Sequence, residues 1–158
     1  MSHTTIETEA GIPLIGVSRR FAAMPEVVFR AYTEPALLER WLGPRELTLT
    51  VDRYEVQDGG RWRYVSRDGD GTAYGFHGVF HGTPSLTDGI VQTFEFEGES
   101  GRVSLDTYRF QRDGDGTIVT SVTCFQSVQD RDRMVSSGAE RGIRESGERL
   151  TELLETGI

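Results

Sequence analysis

His77 and His81 stand four residues apart and are the first candidates for metal or acid–base chemistry. On a helix that spacing puts both rings on one face, as in zinc proteases. Here the run Tyr74-Gly-Phe-His-Gly-Val-Phe-His-Gly82 alternates as a strand, and four strand residues span about 13 Å, too far for one ion. The third histidine, His3, lies in the polar start of the chain. No metal is therefore expected, and His77 is retained as a polar contact on a cavity wall. Nucleophiles are no better placed. Cys124 lies mid-strand between Thr123 and Phe125, where a cysteine is ordinarily an inert packing residue. There is no Gly-x-Ser-x-Gly elbow, and no Gly-x-Gly-x-x-Gly follows a strand and opens a helix. The carboxylate pairs Glu95/Glu97 and Asp130/Asp132 fall in segments that read as solvated.

All 17 basic residues are arginine, and the 158-residue chain has neither lysine nor asparagine. A Schiff-base lysine, a Walker A loop and a Cys-His-Asn triad are thereby excluded. No catalytic residue and no cofactor is assigned. The formal charge of −8 disfavours nucleic acid and anionic membranes as partners. No stretch approaches the ~20 apolar residues of a membrane span, and Met1 to Gly11 lacks the pattern of a signal peptide. A single cysteine cannot form an intrachain disulfide, which fits a reducing, cytoplasmic setting.

The segment Arg67-Asp-Gly-Asp-Gly-Thr72 recurs as Arg112-Asp-Gly-Asp-Gly-Thr117. Calcium loops of the EF-hand type need acidic or amide ligands at their fifth position and Glu at their twelfth. Here those positions hold Thr72 and Val79, then Thr117 and Cys124, so both copies read as hairpin turns.

The elements that must position these residues follow from periodicity. Residues 1–11 are polar and read as a flexible N-terminus; 12–158 read as one domain. Ile12 to Phe21 suits a strand, and Pro25-Glu26 opens a short helix carrying Val27, Val28, Ala31 and Tyr32. Thr33 is the expected N-cap of a second short helix that buries Leu37, Leu38 and Trp41 and stops at Gly43-Pro44. Residues 47 to 127 alternate as strands, although the two faces of 102–111 and 117–126 are indistinguishable by pattern. From Asp130 to Thr156 the period becomes helical, with Val135, Ala139, Ile143, Leu150, Leu153 and Leu154 on one face. Beside that face run Met134, Gly138, Gly142 and Ser146. Two glycines inside one helix cost about 1 kcal/mol each relative to alanine, so close packing or room for a ligand should offset them.

Aromatic residues dominate the rest. A curved sheet wrapped on one helix often leaves a void, and aromatic-lined voids bind small apolar molecules. The expected wall is Trp41, Trp62, Tyr64, Phe76, Phe80 and Phe94 from the sheet and short helices, with Met134, Gly138 and Gly142 from the long helix. Arg141 or His77 would add a polar contact.

The segment Phe21-Ala-Ala-Met-Pro-Glu-Val-Val-Phe-Arg-Ala-Tyr-Thr-Glu-Pro-Ala-Leu-Leu-Glu-Arg-Trp-Leu-Gly-Pro44 resembles the start of START-like (SRPBCC superfamily) proteins. It is closest to the homologues of the activator of the 90-kDa heat-shock-protein ATPase. Gly59-Gly-Arg-Trp-Arg-Tyr64, Phe76-His-Gly-Val-Phe80 and the helix from Gly138 to Leu154 are similar to later blocks of that family. Two positions depart from it: Leu42 stands where Trp is common, and Gln57-Asp58 where Arg-Pro is common. The resemblance, over about residues 15 to 155, implies an α+β helix-grip fold. About seven antiparallel strands would curve around a long C-terminal helix, with two short helices after the first strand. It implies a cavity between sheet and helix but no fixed catalytic set. Three functions are consistent with it: binding of a small hydrophobic or aromatic molecule, a polyketide cyclase- or dehydratase-like enzyme using His77 or Tyr64, and a chaperone-binding adaptor. The first ranks highest and the last lowest; a homodimer is left open.

Overall fold

Strict alternation extends the chain wherever one side chain in two must be buried. The computed structural model describes residues 3–158. It places β1 at His3–Glu7, β2 at Leu14–Phe21, α1 at Pro25–Thr33 and α2 at Pro35–Leu38. There follow β3 (Thr48–Tyr54), β4 (Arg61–Arg67), β5 (Ala73–Val79), β6 (Ile90–Phe96), β7 (Val103–Asp113) and β8 (Gly116–Cys124). Two helices close the chain, α3 (Val128–Ser136) and α4 (Ala139–Glu155).

The strands make one antiparallel sheet in the order β1-β2-β8-β7-β6-β5-β4-β3. The α1–α2 segment carries the chain from β2 to the far edge at β3. Successive hairpins then return it until β8 lies beside β2. Both Asp-Gly repeats are hairpin turns. In the first, Asp68 Oδ1 accepts the N–H groups of Asp70 (2.9 Å) and Thr72 (3.0 Å). In the second, Asp113 pairs directly with Gly116.

The sheet has eight described strands rather than about seven, because part of the N-terminus expected to be flexible is an edge strand. Met1 and Ser2 lie outside the described residues. β1 pairs with β2 from His3↔Arg20 to Glu7↔Gly16. The buried Arg131 donates to the carbonyls of Glu9 (2.9 Å) and Leu14 (3.4 Å), tying α3 to the β1–β2 connection.

The long C-terminal helix is two helices. Gly138 takes φ +88°, a left-handed conformation that breaks the helix before Ala139 and that side chains other than glycine rarely adopt. Gly138 is therefore the cap residue between α3 and α4, not a mid-helix one. Ser127 caps α3 as its spacing to Asp130 suggests, accepting the Asp130 N–H at 3.1 Å. Thr33 does not cap α2. It ends α1 with its hydroxyl on the Phe29 carbonyl, and Glu34 takes the cap position ahead of Pro35.

The core occupies one end of the grip. Phe21, Val28, Ala31, Phe80, Val119, Leu150 and Leu153 are buried together there, and Trp41 and Leu49 stand between this core and the open end. Trp41 is fixed by its Nε1 donating to the Ala31 carbonyl at 2.9 Å. The other end, under α3 and the first half of α4, is not filled.

Candidate functional site

Two adjoining chambers lie between the sheet and the C-terminal helices. The inner one has a volume of about 330 Å³, the outer about 540 Å³, within the range of small-molecule sites. Pro44, Phe76, Phe94, Phe125, Met134 and Gly142 border both.

The aromatic wall is built by register. Trp62 and Tyr64 point inward from β4, Phe76 from β5, Phe94 and Phe96 from β6. Trp62 stacks on Tyr64 with ring centres 5.0 Å apart; Phe76 lies 5.4 Å from Phe94 and 5.2 Å from Phe96. Gly78 faces Trp62 across the β4–β5 ladder. A Cβ there would collide with the Thr93 carbonyl and crowd the Trp62 indole nitrogen, so only glycine fits at this point of the ladder.

Of the residues expected on the wall, Trp41, Trp62 and Tyr64 line the inner chamber, and Phe76, Phe94, Met134 and Gly142 line both. Gly138 and Arg141 line the outer chamber. Arg141 is tied to Glu46 (2.7 Å) and Glu145 (2.8 Å), joining α4 to the segment after α2.

Two expectations fail. His77 is next to Phe76 on one strand, and neighbouring strand residues face opposite ways, so both cannot line one cavity. Phe76 faces in. His77 lies on the outer face, its Nδ1 2.9 Å from Glu97 and its Nε2 3.3 Å from Glu95. With Arg63 paired to the same carboxylate at 2.7 Å, Glu97 is held down at about 2, mainly by its bond to Arg63 and then by His77. Phe80 is fully buried but belongs to the filled end, edge-on to Tyr54 at 5.5 Å.

Leu42, Gly43 and Pro44 form part of the inner wall. This segment is anchored to α4: the Gly43 N–H donates to Ser146 Oγ (2.8 Å), and Arg149 donates to the Gly43 carbonyl (3.0 Å). The departure at Leu42 thus falls on the cavity itself, whereas Gln57-Asp58 sits in the β3–β4 turn, where Asp58 accepts the Gly82 N–H at 2.7 Å.

What pattern could not supply is the polar floor of the inner chamber. On β7 the inward residues are Ser104, Asp106 and Tyr108; on β8 they are Ser121 and Thr123. Gln92, Asp106, Thr123 and Ile15 form one transverse row across β6, β7, β8 and β2. Gln92 Nε2 donates to Asp106 Oδ2 at 3.3 Å. Burial pushes the Asp106 carboxyl up to about 6, and hydrogen bonds from Thr123 and Gln92 limit the rise. Burial also raises Tyr64 and Tyr108, reinforced by the nearby Asp106 charge, so both phenols stay protonated at neutral pH. Arg19 reaches in from β2, donating to Tyr32 Oη (3.4 Å) and the Ile143 carbonyl (2.7 Å).

A curved antiparallel sheet closed by C-terminal helices over an aromatic-walled cavity is the helix-grip architecture, and the chain is a START-like protein. Residues 22–155 match the family described as activator of Hsp90 ATPase homolog 1-like protein, and the chain belongs to that family. No curated protein matches. Among solved structures, a Rhodobacter sphaeroides protein aligns over 98% of this chain and 99% of its own, with TM-score 0.88 and 23% identity. Protein Ms6760 of Mycobacterium smegmatis aligns over 96% and 97%, with TM-score 0.86 and 21% identity. CalU16 of Micromonospora echinospora aligns over 92% and 81%, with TM-score 0.60 and 20% identity. At these identities the likeness is one of fold. No helix among the described residues is long and apolar enough to cross a membrane.

Proposed function

We propose that the protein binds a small hydrophobic or aromatic molecule in the inner chamber, acting in the cytoplasm. The observation that carries this reading is the unfilled space of about 330 Å³ behind the stacked Trp62, Tyr64, Phe76 and Phe94. A concave, aromatic-walled space of this size with a few polar groups on its floor is the usual form of a small-molecule site. Titration of the full chain with 2-acetonaphthone, followed by two-dimensional NMR, tests it. Shifts should centre on Tyr64, Phe76, Phe94 and Met134; an unshifted spectrum at saturating probe refutes the reading.

A cyclase- or dehydratase-type activity has one observation in its favour: a carboxyl brought to about 6 by burial inside the cavity, which suits a general base near neutral pH. On that reading the proton-transfer group is Asp106 rather than the outward-facing His77. Loss of turnover of a polyketide-like substrate by roughly 10²–10⁴-fold in Asp106→Asn would establish it.

A further inference from the structure

Among the described residues, Arg19 and Asp106 are the two charged side chains on the wall of the inner chamber. Both are more than nine-tenths buried. A buried charge is expensive unless an opposite charge or a full set of hydrogen bonds compensates it. Neither side chain meets an opposite charge among the described residues. Arg19 reaches only a phenol and a carbonyl, and its Nε has no partner; Asp106 is held by two neutral groups, Gln92 and Thr123.

Nor do the two compensate each other. Arg19 pairs with Val119 across β2 and β8, and Val119 pairs with Phe110 across β8 and β7. Asp106 lies four residues before Phe110, with the inward-facing Tyr108 between them. The two backbone positions are thus displaced by roughly 13 Å along the strands. The chamber therefore offers an acceptor at one end, donors at the other and flat aromatic surface between, at zero net charge. A cationic ligand would gain at Asp106 and lose at Arg19, and an anionic one the reverse. A neutral molecule with a donor and an acceptor at opposite ends satisfies both.

Resting on the binding function proposed above, we propose that the inner chamber selects flat, neutral ligands that present a hydroxyl to Asp106 and a carbonyl oxygen to Arg19 from opposite ends of an apolar ring system. This assigns each charged wall residue a ligand group and leaves the aromatic wall to supply affinity without direction.

The test compares three fluorescent probes on the full chain at pH 7: 6-hydroxy-2-acetonaphthone, 2-acetonaphthone without the hydroxyl, and 2-naphthol without the carbonyl. A merely greasy cavity favours the less polar ketone, because a hydroxyl must be desolvated to enter. The proposal requires the opposite sign: the hydroxy-ketone should bind about tenfold or more tighter than either partner, as expected for hydrogen bonds to charged groups. Asp106→Leu should abolish the preference for the hydroxyl, and Arg19→Met the preference for the carbonyl, while 2-acetonaphthone still binds Asp106→Leu. If either variant does not fold, the ranking of the three probes on the wild-type chain decides alone. Equal or weaker binding of the hydroxy-ketone than of 2-acetonaphthone overturns this proposal and leaves the binding function standing. Failure of all three probes to bind overturns the binding function, and this proposal with it.

Discussion

Asp106→Asn should make the protein more stable at pH 7.5 and leave it nearly unchanged at pH 4. Asparagine keeps the shape of the side chain and an oxygen for Gln92 and Thr123, but carries no charge. Burial raises the Asp106 carboxyl from 3.8 to about 6. The folded state therefore holds this proton more tightly than the unfolded chain does. The stability associated with protonated Asp106 is fully present below the unfolded value and is lost as pH rises through the folded one, a window of about 4 to 6. A shift of that size corresponds to roughly 3 kcal/mol by the free-energy equivalent of one pKa unit. Above pH 6 the wild type bears the full penalty and the variant does not. For a chain of this length the gain amounts to roughly 6–12 °C in melting temperature, taking about 2–4 °C per kcal/mol. Thermal and urea unfolding of both proteins between pH 4 and pH 8 reads the difference. Only the difference matters, since every other titrating group is common to both. A gain of equal size at pH 4, or a loss of stability at pH 7.5, would refute the assignment of Asp106 as a buried, unpaired charge.

The glycines of the helix pair should behave differently from each other. A Cβ on Gly142 would meet only Pro44 Cδ at 3.9 Å, so Gly142→Leu should extend into the chambers and abolish binding of 2-acetonaphthone. Its melting temperature should hold or rise, because leucine improves helix propensity by up to ~1 kcal/mol; a clear drop would mean that helix and sheet touch there. Gly138→Leu meets no neighbouring atom but sits at φ +88°, and it should cost about 1–2 kcal/mol through the backbone alone, measured by urea unfolding. His77→Phe should change probe affinity less than about twofold and stability by less than ~1 kcal/mol, since it removes only half-exposed polar contacts to Glu95 and Glu97 on the far face. Arg131→Met should lose about 1.5–3 kcal/mol by removing charged donors from two carbonyls, and it should speed amide hydrogen exchange in β1.

Much of the fold was legible because burial and period agreed. Trp62 and Tyr64, Phe76 and Phe94 alternate with polar residues, and the register places all four on one face. The switch at Asp130 to a helical period located the elements that close the grip, which begin at Val128. The break inside it was not legible, since Gly138 occupies a place in the helical pattern where an ordinary residue would continue the turn. Only its left-handed φ reveals the break. On the solvated side of α4, Arg141 pairs with Glu145 one turn on at 2.8 Å. Arg144 and Arg149 instead bind backbone carbonyls, Thr4 for the first and the 42–44 segment for the second. Distant carbonyls that need a donor outcompete a solvated ion pair.

The floor of the cavity was hidden for a deeper reason. On β7 the pattern Val103-Ser-Leu-Asp-Thr-Tyr-Arg-Phe110 places polar groups on both faces, and the rule that apolar residues turn inward would bury Leu105 and expose Asp106. The protein does the reverse: Leu105 is 43% exposed and Asp106 is 5% exposed. The same inversion recurs one strand over, where Val122 is largely exposed while Ser121 and Thr123 line the chamber. Apolar residues stand on both faces of both strands, with Tyr108, Phe110 and Val119 on the inner one, so reading the pattern for burial alone does not pick the face. Local rules are broken where a site needs groups that a packed core would reject, at some cost in stability. Two adjacent strands, inverted in register with each other and meeting at Asp106↔Thr123, mark where this chain departs from a filled core. The stability gain expected for Asp106→Asn and the hydroxyl preference expected of the chamber are then two consequences of one buried carboxylate, the first its cost and the second its use.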